Sequence, residues 1–511
     1  MQLIRLDHDD GYSTISATDG AFRFEGVEPG TYTLQGTRSG YISTNYGANA
    51  SRRTQKGRAL ILHAAQQLTD VDFRLIPQGV ISGKIFDPEG DPASDIGVEA
   101  IRRTWESGKL QPTVVGSGST DDRGDFGIRG LEPGRYYLRA EPQMTAELIA
   151  SSSGKSGVRP VRTYFPGAAN LQGASVIQVN PGQEVSDTNI QLQAAPAFHV
   201  RGKVAGDASA GVWVSLQPAL DPSYQGGLFD GMTVLSRNGS FDIAAITPGS
   251  YVAVAYNVSG LTRQMGSQAV EVVSSDVNDL VINVLRPSSI LGQVRIEGSG
   301  ASAGVKPDFR NSQVNLLPHG FAGFAAGSVR PDGTFEVENV GTVSYNVNLS
   351  PLPSGTYLAS VLFGGRQVQG NEVDLSHGVS GKLDIVLRFG VAEVHGAIQT
   401  SSNKSDDQAS SAKSGFAFLV PEAAGGAWLW EGRIAQDGTF TVKDVPPGRY
   451  RAYAFAEVND EILHSPEVLN AIHDRGVDVE LKENDKKQIQ LSLISADDFD
   501  QILARLGIDE Q

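Results

Sequence analysis

Residues 119–140 read Ser-Thr-Asp-Asp-Arg-Gly-Asp-Phe-Gly-Ile-Arg-Gly-Leu-Glu-Pro-Gly-Arg-Tyr-Tyr-Leu-Arg-Ala. A polar turn with Gly precedes an alternating strand, and a Pro-Gly turn precedes a second strand that begins on an aromatic residue. Alternation with a period of two places one side of each strand inward, while Pro fixes φ and Gly accepts a positive φ in a tight connection. The stretch therefore predicts a β-hairpin.

The same pattern, which we call the frame, recurs along the chain at intervals of roughly 100 residues, the size of a small domain. Its reference residues are Phe22, Phe126, Phe241, Phe335 and Phe440. Apolar residues follow each Phe two and five positions later, and a Tyr follows ten positions later. The frame tyrosines are Tyr32, Tyr136, Tyr251, Tyr345 and Tyr450. Pro-Gly precedes the Tyr in every frame except the fourth, where Thr342-Val343 replaces it. We therefore expect five domain-sized repeats.

Composition limits the classes of protein that the chain can belong to. Its 511 residues, 40% hydrophobic and 20% charged, are enough for several globular domains, and 59 Gly favour an all-β architecture with many turns. The net charge of −16, without a basic stripe, argues against nucleic acid as a partner. The absence of Cys removes disulfides and thiolate sites. No apolar run is long enough for a transmembrane segment, and residues 1–7 lack the features of a signal peptide.

We expect the chain to consist of tandem β-sandwiches followed by a short helix. The predicted ranges are a truncated repeat (1–76), four complete repeats (77–195, 196–287, 288–389 and 390–494) and a C-terminal helix (495–511). We call the five repeats the first to fifth segments. Junctions of a few residues favour an extended or curved rod over independently moving domains.

The second to fifth segments each open with an apolar-x-Gly-x-apolar motif. The motif is centred on Gly83, Gly202, Gly292 and Gly396. The first segment lacks this opening strand, which would leave a hydrophobic sheet edge unpaired. We therefore hypothesise that Met1 is not the natural start of the protein.

Three stretches depart from the repeat pattern. An insertion at 141–162, rich in Ser and Gly, predicts a mobile surface loop, as does the polar run 401–414. Gly154-Lys155-Ser156 in the insertion lacks the earlier Gly of a phosphate-binding loop, so we interpret it as a solvated loop. Ser495 and the helically spaced Phe499, Ile502, Leu503 and Leu506 predict an amphipathic helix that packs on the last sandwich or, alternatively, binds a partner.

The second segment resembles a known family in three places: Gly-Lys-Ile-Phe-Asp-Pro-Glu-Gly-Asp-Pro (83–92), Ser-Thr-Asp-Asp-Arg-Gly-Asp-Phe (119–126) and Gly-Leu-Glu-Pro-Gly-Arg-Tyr-Tyr-Leu (130–138). These residues look like carboxypeptidase regulatory-like domains, which are transthyretin-like (prealbumin-like) sandwiches. The other segments resemble the family more weakly. The resemblance implies a Greek-key sandwich, related to carbohydrate-binding-like and immunoglobulin-like folds, in exported bacterial proteins. It implies an accessory role, beside peptidases, receptors or adhesive modules, with no catalytic residue to transfer.

The residues themselves give no pattern for catalysis. The eight His are dispersed, and no metalloprotease motif or nucleophile elbow occurs, so we expect neither an enzyme nor a cofactor. Acidic side chains crowd two turns of the second segment: Asp87, Glu89 and Asp91, and Asp121, Asp122 and Asp125. We interpret both turns as solvated, with calcium binding as the alternative. Arg123-Gly124-Asp125 spells the tripeptide of integrin ligands, which we treat as coincidence.

Two further pairs of residues carry specific hypotheses. Lys84 and Asn189, on the first and last strands of the second segment, form the best pair for an intramolecular isopeptide bond of the kind found in related pilus sandwiches. Trp428 and Trp430 share one face of a strand in the fifth segment, so their indoles could form a flat platform for sugar rings. Local packing is the alternative for both indoles, because large apolar residues are usually buried.

These observations favour a non-catalytic, extracytoplasmic protein that acts as a structural spacer and a binding or adhesion module at the cell envelope. Carbohydrate or a protein of the envelope is the expected partner. One alternative is a carbohydrate-binding protein that uses Trp428 and Trp430. Another is an accessory part of a larger exported peptidase or receptor system. An enzyme would require a catalytic domain in a segment upstream of this sequence.

Overall fold

The computed structural model describes residues 1–5, 11–47, 60–69, 71–72, 74–106, 108–142, 158–206, 212–218, 232–236, 238–259, 262–284, 288–297, 308–318, 324–341, 343–375, 378–399, 415–422, 429–435, 437–506 and 508. These residues form many β-strands and a few short helices. The predicted all-β class, with a short C-terminal helix, is confirmed. None of the helices in the described ranges has the length and apolar character needed to cross a membrane.

The first segment contains one described sheet. Its strands are β1 (Gln2–Arg5), β2 (Gly11–Ser13), β3 (Gly30–Gly36), β4 (Thr44–Asn45) and β5 (Leu60–Leu62). The order is β2-β1-β3-β4, and β5 also pairs with β3. Leu3, Tyr32, Leu34 and Leu60 form a small buried cluster on this sheet.

The second segment contains two facing sheets and a short ribbon. Its strands are β6 (Gly79–Phe86), β7 (Ile96–Glu106), β8 (Lys109–Ser119), β9 (Asp125–Leu131), β10 (Gly134–Pro142), β11 (Val158–Val161), β12 (Thr163–Tyr164), β13 (Ile177–Val179), β14 (Glu184–Val185), β15 (Ile190–Gln191) and β16 (Gln193–Pro196). A 3-10 helix spans Leu171–Gly173. The prediction of a loop over 141–162 is wrong at its end, because Val158–Val161 form β11, which pairs antiparallel with β16. Residues 143–157, with Gly154-Lys155-Ser156, lie outside the described residues.

The third and fourth segments repeat the two-sheet plan. The third contains β17 (Phe198–Gly206), β18 (Trp213–Pro218), β19 (Met232–Leu235), β20 (Ser240–Ile246), β21 (Gly249–Ser259), β22 (Thr262–Val272) and β23 (Val277–Val284). The fourth contains β24 (Ser288–Glu297), β25 (Gln313–Pro318), β26 (Ala325–Ser328), β27 (Thr334–Val340), β28 (Ser344–Ser350), β29 (Thr356–Phe363), β30 (Arg366–Gln367), β31 (Glu372–Asp374) and β32 (Leu383–Phe389).

The fifth segment adds helices to the plan. Its strands are β33 (Ala392–Ile398), β34 (Gly415–Pro421), β35 (Trp430–Ile434), β36 (Thr439–Val445), β37 (Gly448–Phe455), β38 (Val477–Leu481), β39 (Lys486–Leu491) and β40 (Leu493–Ile494). Between β37 and β38 lie a 3-10 helix (Asp460–His464), α1 (Pro466–Ala471) and a second 3-10 helix (His473–Arg475), and the chain ends on α2 (Ala496–Arg505). The loop predicted at 401–414 lies outside the described residues.

The two strands of the frame pair with different neighbours in the second to fifth segments, and in the second to fourth segments those neighbours belong to different sheets. In the second segment β9 pairs with β6, whereas β10 pairs with β7. The later segments repeat this division: β20, β27 and β36 pair with the opening strands, and β21, β28 and β37 pair with the second strands. The predicted hairpin is therefore wrong: in the second to fourth segments the frame is an arch between sheets, and in the fifth segment its two strands are separated by β34 and β35 within one sheet. Alternation with a period of two cannot distinguish a hairpin from an arch, since both geometries turn the same side chains toward the core.

A β-bulge explains the spacing of the apolar residues in the frame. Residues two and five positions after the Phe would face opposite sides of a regular strand. Ile128 and Leu131 are nevertheless both buried in the same core. Gly130 between them has φ of 80°, and the register with β6 shifts there. Asn339 and Asp444 occupy the same position in later segments, with φ of 60° and 55°. The additional residue of the bulge thus restores the inward direction.

Contact with the frame Phe explains the opening glycines. A Cβ on Gly292 would lie 2.1 Å from the carbonyl oxygen of Leu383 and 2.2 Å from the ring of Phe335. Gly396 has the same relation to Phe440, and Gly202 to Phe241. The motif thus needs Gly because the closing strand and the frame aromatic both approach its backbone.

Neighbouring segments contact each other through their backbones and strands. Gln78 N–H donates to Gly40 O over 2.9 Å between the first and second segments. In the other half of the chain, β29 of the fourth segment lies against β36 of the fifth. A further contact joins the second segment to the fifth, because Gly108 N–H donates to Glu461 O over 3.0 Å. The chain therefore curves back on itself, and a straight rod is excluded.

Candidate functional site

Trp430 is partly buried at the edge of the fifth segment's core. Its ring meets Tyr450 edge to face, with 5.5 Å between centroids. It also packs against the main hydrophobic cluster of that segment. Trp428 lies outside the described residues. The structure thus gives Trp430 a packing partner, and a platform built from both indoles stays a prediction.

The acidic turns of the second segment bond to their own backbone. Asp121 Oδ1 accepts hydrogen bonds from the N–H groups of Arg123 and Asp125, each over 2.9 Å. The bond from the Arg123 backbone, more than any other contact, lowers the pKa of Asp121. Asp87 Oδ1 likewise accepts from Asp91 N–H over 2.8 Å. The bond from Arg123 to Asp121 makes an Asx turn, and in both turns the carboxylate stabilises the turn itself.

Nothing in the described residues gathers these carboxylates into a metal site. Searched within those ranges, no group of three or more His, Cys, Asp or Glu could hold a metal ion. Glu89 and Asp122 are exposed on the same two turns. Calcium binding therefore stays an untested alternative without a geometric observation in its favour.

Lys84 reaches toward a different partner from the one expected for an isopeptide bond. Its Nζ lies 2.8 Å from Asp125 Oδ1 in an exposed ion pair. Asn189 instead accepts a hydrogen bond from the backbone N–H of Lys84, over 2.9 Å. The pairing of the first and last strands is correct, but the amine of Lys84 is directed at the tripeptide turn. A surface ion pair of this kind contributes about 0–1 kcal/mol.

A row of three side chains on β18 forms a candidate binding site that the sequence did not single out. Val214 and Leu216 face the core of the third segment. Trp213, Ser215 and Gln217 alternate with them and therefore lie on the opposite face of the sheet. That face is expected to be solvated in an antiparallel sandwich. Ser215 and Gln217 are nevertheless fully buried, whereas Trp213 is 44% exposed.

The buried end of this row consists of polar groups that lack hydrogen-bond partners among the described residues. Ser215 Oγ, Gln217 Oε1 and Gln217 Nε2 have no hydrogen-bond partner among the described residues. Leaving such a group unpaired costs about 1–3 kcal/mol. The neighbouring strand adds Val254 and Tyr256, which pair with Ser215 and Trp213 and are also buried. The row therefore combines an accessible indole with hydroxyl and amide groups that need partners.

The row offers neutral hydrogen bonding beside an apolar ring. A glutamine amide both donates and accepts, and a serine hydroxyl does the same. Residues two apart on a strand are separated by roughly 7 Å, so the three side chains span the length of about two sugar rings. The sequence signal was present as a Trp on the polar face of an alternating strand. That signal is weak, because single exposed aromatics are common.

Comparisons with known proteins give similarity to solved structures alone. No family model matches the chain, and no curated protein is similar to it. It is similar to a streptococcal ancillary pilin at 12% identity, covering 61% of this chain and 99% of the pilin, with a TM-score of 0.22. It is also similar to the Bacillus anthracis TIE protein at 8% identity, covering 78% of this chain and 68% of that one, with a TM-score of 0.18. The minor pilin of Streptococcus agalactiae matches at 16% identity over 41% of this chain and 96% of the pilin, with a TM-score of 0.18. Scores this low carry no argument about function.

Proposed function

We propose that the chain is a non-catalytic extracytoplasmic protein that serves as a structural spacer and as a binding or adhesion module at the cell envelope. The observation that carries the proposal is the set of contacts between segments. Gly40 bonds Gln78, β29 lies on β36, and Gly108 bonds Glu461. The first two of these contacts limit the independent movement of neighbouring sandwiches, which supports a structural role.

The location and the binding role can be tested with the full chain. A tagged protein should be digested by protease added to intact cells, and the purified protein should sediment with isolated cell envelopes. A cytoplasmic protein with the same tag is the control for cell integrity. Complete protection of the tagged chain in intact cells, together with its recovery in the cytoplasm, would contradict the proposal.

We propose carbohydrate binding as a second function, because of the row Trp213, Ser215 and Gln217. An indole stacks on the apolar face of a sugar ring, and the hydroxyl of Ser215 and the amide of Gln217 would pair with sugar hydroxyls once the residues that cover them move aside. The described side chains of the row carry no charge, which favours a neutral saccharide over an acidic one. This site differs from the platform of Trp428 and Trp430, which stays a separate hypothesis.

Two variants separate binding from stability at this row. Gln217→Met should raise the free energy of unfolding by about 1–3 kcal/mol, since it removes a buried unpaired amide. It should also abolish binding of neutral oligosaccharides on a glycan array, and Trp213→Ala should weaken that binding. Val281→Ala, an exposed apolar residue on the other sheet of the segment, is the matched control.

The outcomes distinguish the two candidate sugar sites. If binding survives Gln217→Met and is lost with Trp428→Ala and Trp430→Ala, the row is the wrong site and the platform is the right one. If Gln217→Met lowers the free energy of unfolding instead, the amide has a structural partner and the argument for the row fails.

A further inference from the structure

The hairpin of β7 and β8 is longer than its counterparts in the later segments. Each of its strands has 11 residues. The described counterpart strands have 6 and 4 residues in the third and fourth segments, and 7 and 5 in the fifth. We call Trp105 and Gly108, at the far end of this hairpin, the tip.

The fifth segment has a second hydrophobic cluster that the other segments lack among their described residues. We call it the outer core. It covers the face of β34 and β37 that points away from the main core, and it includes the helices. Its buried members are Phe416, Phe418, Val420, Tyr453, Phe455, Val458, Ile462, Leu463, Val468, Ile472, Ile494, Phe499 and Leu503.

The tip docks on the outer core. Trp105 packs against this cluster, and Gly108 N–H donates to Glu461 O in the 3-10 helix over 3.0 Å. A Cβ on Gly108 would lie 2.3 Å from the carbonyl carbon of His464 and 2.5 Å from its oxygen. Gly108 also has φ of 74°, which side chains rarely adopt. Both geometry and contact thus require Gly at this position.

One polar group of the docked tip lacks a partner among the described residues. The indole Nε1 of Trp105 is buried without a hydrogen-bond partner among the described residues. Release into water would satisfy this group and would offset part of the apolar contact that is lost. Undocking also leaves the main cores of both segments intact, since Trp105 and Gly108 belong to neither of them. The contact is therefore suited to opening and closing.

We propose that the tip and the outer core form a clasp, and that the partner of an opened outer core is the tip of a second copy of this chain. When the tip of one chain docks on the outer core of a second chain, it makes every contact that is lost when the clasp opens within a single chain. This equivalence is the energetic basis of exchange between identical subunits. Within one chain the tip is present at an effective concentration on the order of millimolar near its own outer core. Docking within one chain therefore dominates until the protein concentration approaches that value. The contact joins two different surfaces, so exchange yields head-to-tail assemblies.

The experiment compares the wild-type full chain with the double variant Trp105→Ala/Gly108→Val. Small-angle scattering at low concentration should show a larger radius of gyration for the variant, and hydrogen exchange should show loss of protection at residues 460–464. Small-angle scattering without dilution, at protein concentrations approaching millimolar, should show dimers and larger species for the wild type alone. Trp213→Ala is the control for loss of a Trp elsewhere.

A mixing experiment tests the trans contact directly. The tagged double variant has an open outer core and should capture untagged wild-type chain, while two batches of the double variant should not capture each other. Equal scattering and equal protection of the wild type and the double variant would overturn the clasp. A wild type that stays monomeric at all concentrations, or a double variant that associates as the wild type does, would overturn the exchange.

Discussion

The hydroxyl of each frame tyrosine bonds the backbone four residues upstream. Tyr32, Tyr136, Tyr251 and Tyr450 donate to the carbonyl oxygens of Glu28, Glu132, Thr247 and Pro446. In the fourth segment, where Thr342-Val343 replaces Pro-Gly, Tyr345 instead accepts from Gly341 N–H over 2.8 Å. The Tyr hydroxyl thus stabilises the connection between the two strands of the frame, which explains why the frame has Tyr and not Phe at this position.

Alkaline titration should reveal the burial of the Tyr450 hydroxyl. Burial raises its pKa to about 12, from an ordinary value near 10. Because the folded pKa is raised, the stabilisation is complete below about pH 10 and is lost as the pH rises toward 12. Urea unfolding at a series of pH values should show this loss, and Tyr450→Phe should reduce it. An identical pH dependence in the wild type and in Tyr450→Phe would contradict the assignment.

Substitution of an opening glycine should be costly. Gly292→Ala places a methyl group against the carbonyl oxygen of Leu383 and the ring of Phe335, so we expect the free energy of unfolding to fall by about 1–3 kcal/mol. Gly127→Ala is the matched control, since a Cβ there meets nothing within 4 Å. Urea denaturation measures both. Equal effects of the two variants would show that close approach is not the reason for the opening Gly.

At the scale of elements, α2 forms as its sequence pattern predicted. Ser495 caps it by accepting from Asp498 N–H, and Phe499 and Leu503 are buried in the outer core. The helix thus packs on the last sandwich, which was the first of the two alternatives. The helical stretch 460–475 was missed, although Ser465 followed by Pro466 is a helix-start signal that the structure uses.

The packing of α2 predicts the effect of truncating its buried aromatic. Phe499 meets Phe455 edge to face at 5.2 Å and is 2% exposed. Phe499→Ala should therefore cost about 3–5 kcal/mol, and the partly buried Ile502→Ala should cost less. Thermal or urea unfolding followed by circular dichroism compares them. Loss of helix signal without loss of stability would show that α2 contributes little to the outer core.

The fold was predictable wherever the pattern along the chain reports burial. The alternation in β18 correctly separates Val214 and Leu216 from Trp213 and Gln217. Strand β34 breaks the alternation and is buried throughout, because its second face carries the outer core. The candidate row on β18 was not predictable, since neither the burial nor the missing partners of Ser215 and Gln217 are encoded in local spacing.

At the scale of the whole molecule, charge opposes the association that the clasp permits. The net charge of −16 makes copies repel one another at low ionic strength. Added salt screens this repulsion, while apolar docking at Trp105 is little affected. Sedimentation at low and high salt should therefore show more association at high salt. Weaker association at high salt would indicate an ion-paired interface in place of the tip contact.

The sequence by itself determined the frame, the period of about 100 residues, the all-β class and the terminal helix, because each depends on neighbouring residues and their periodicity. Only the tertiary structure decided that the frame is an arch, that an outer core covers the fifth segment, and that Gly108 meets Glu461. These features join residues far apart in the chain. Their energies come from pairing and burial in three dimensions, which a one-dimensional pattern of apolar and polar residues does not specify.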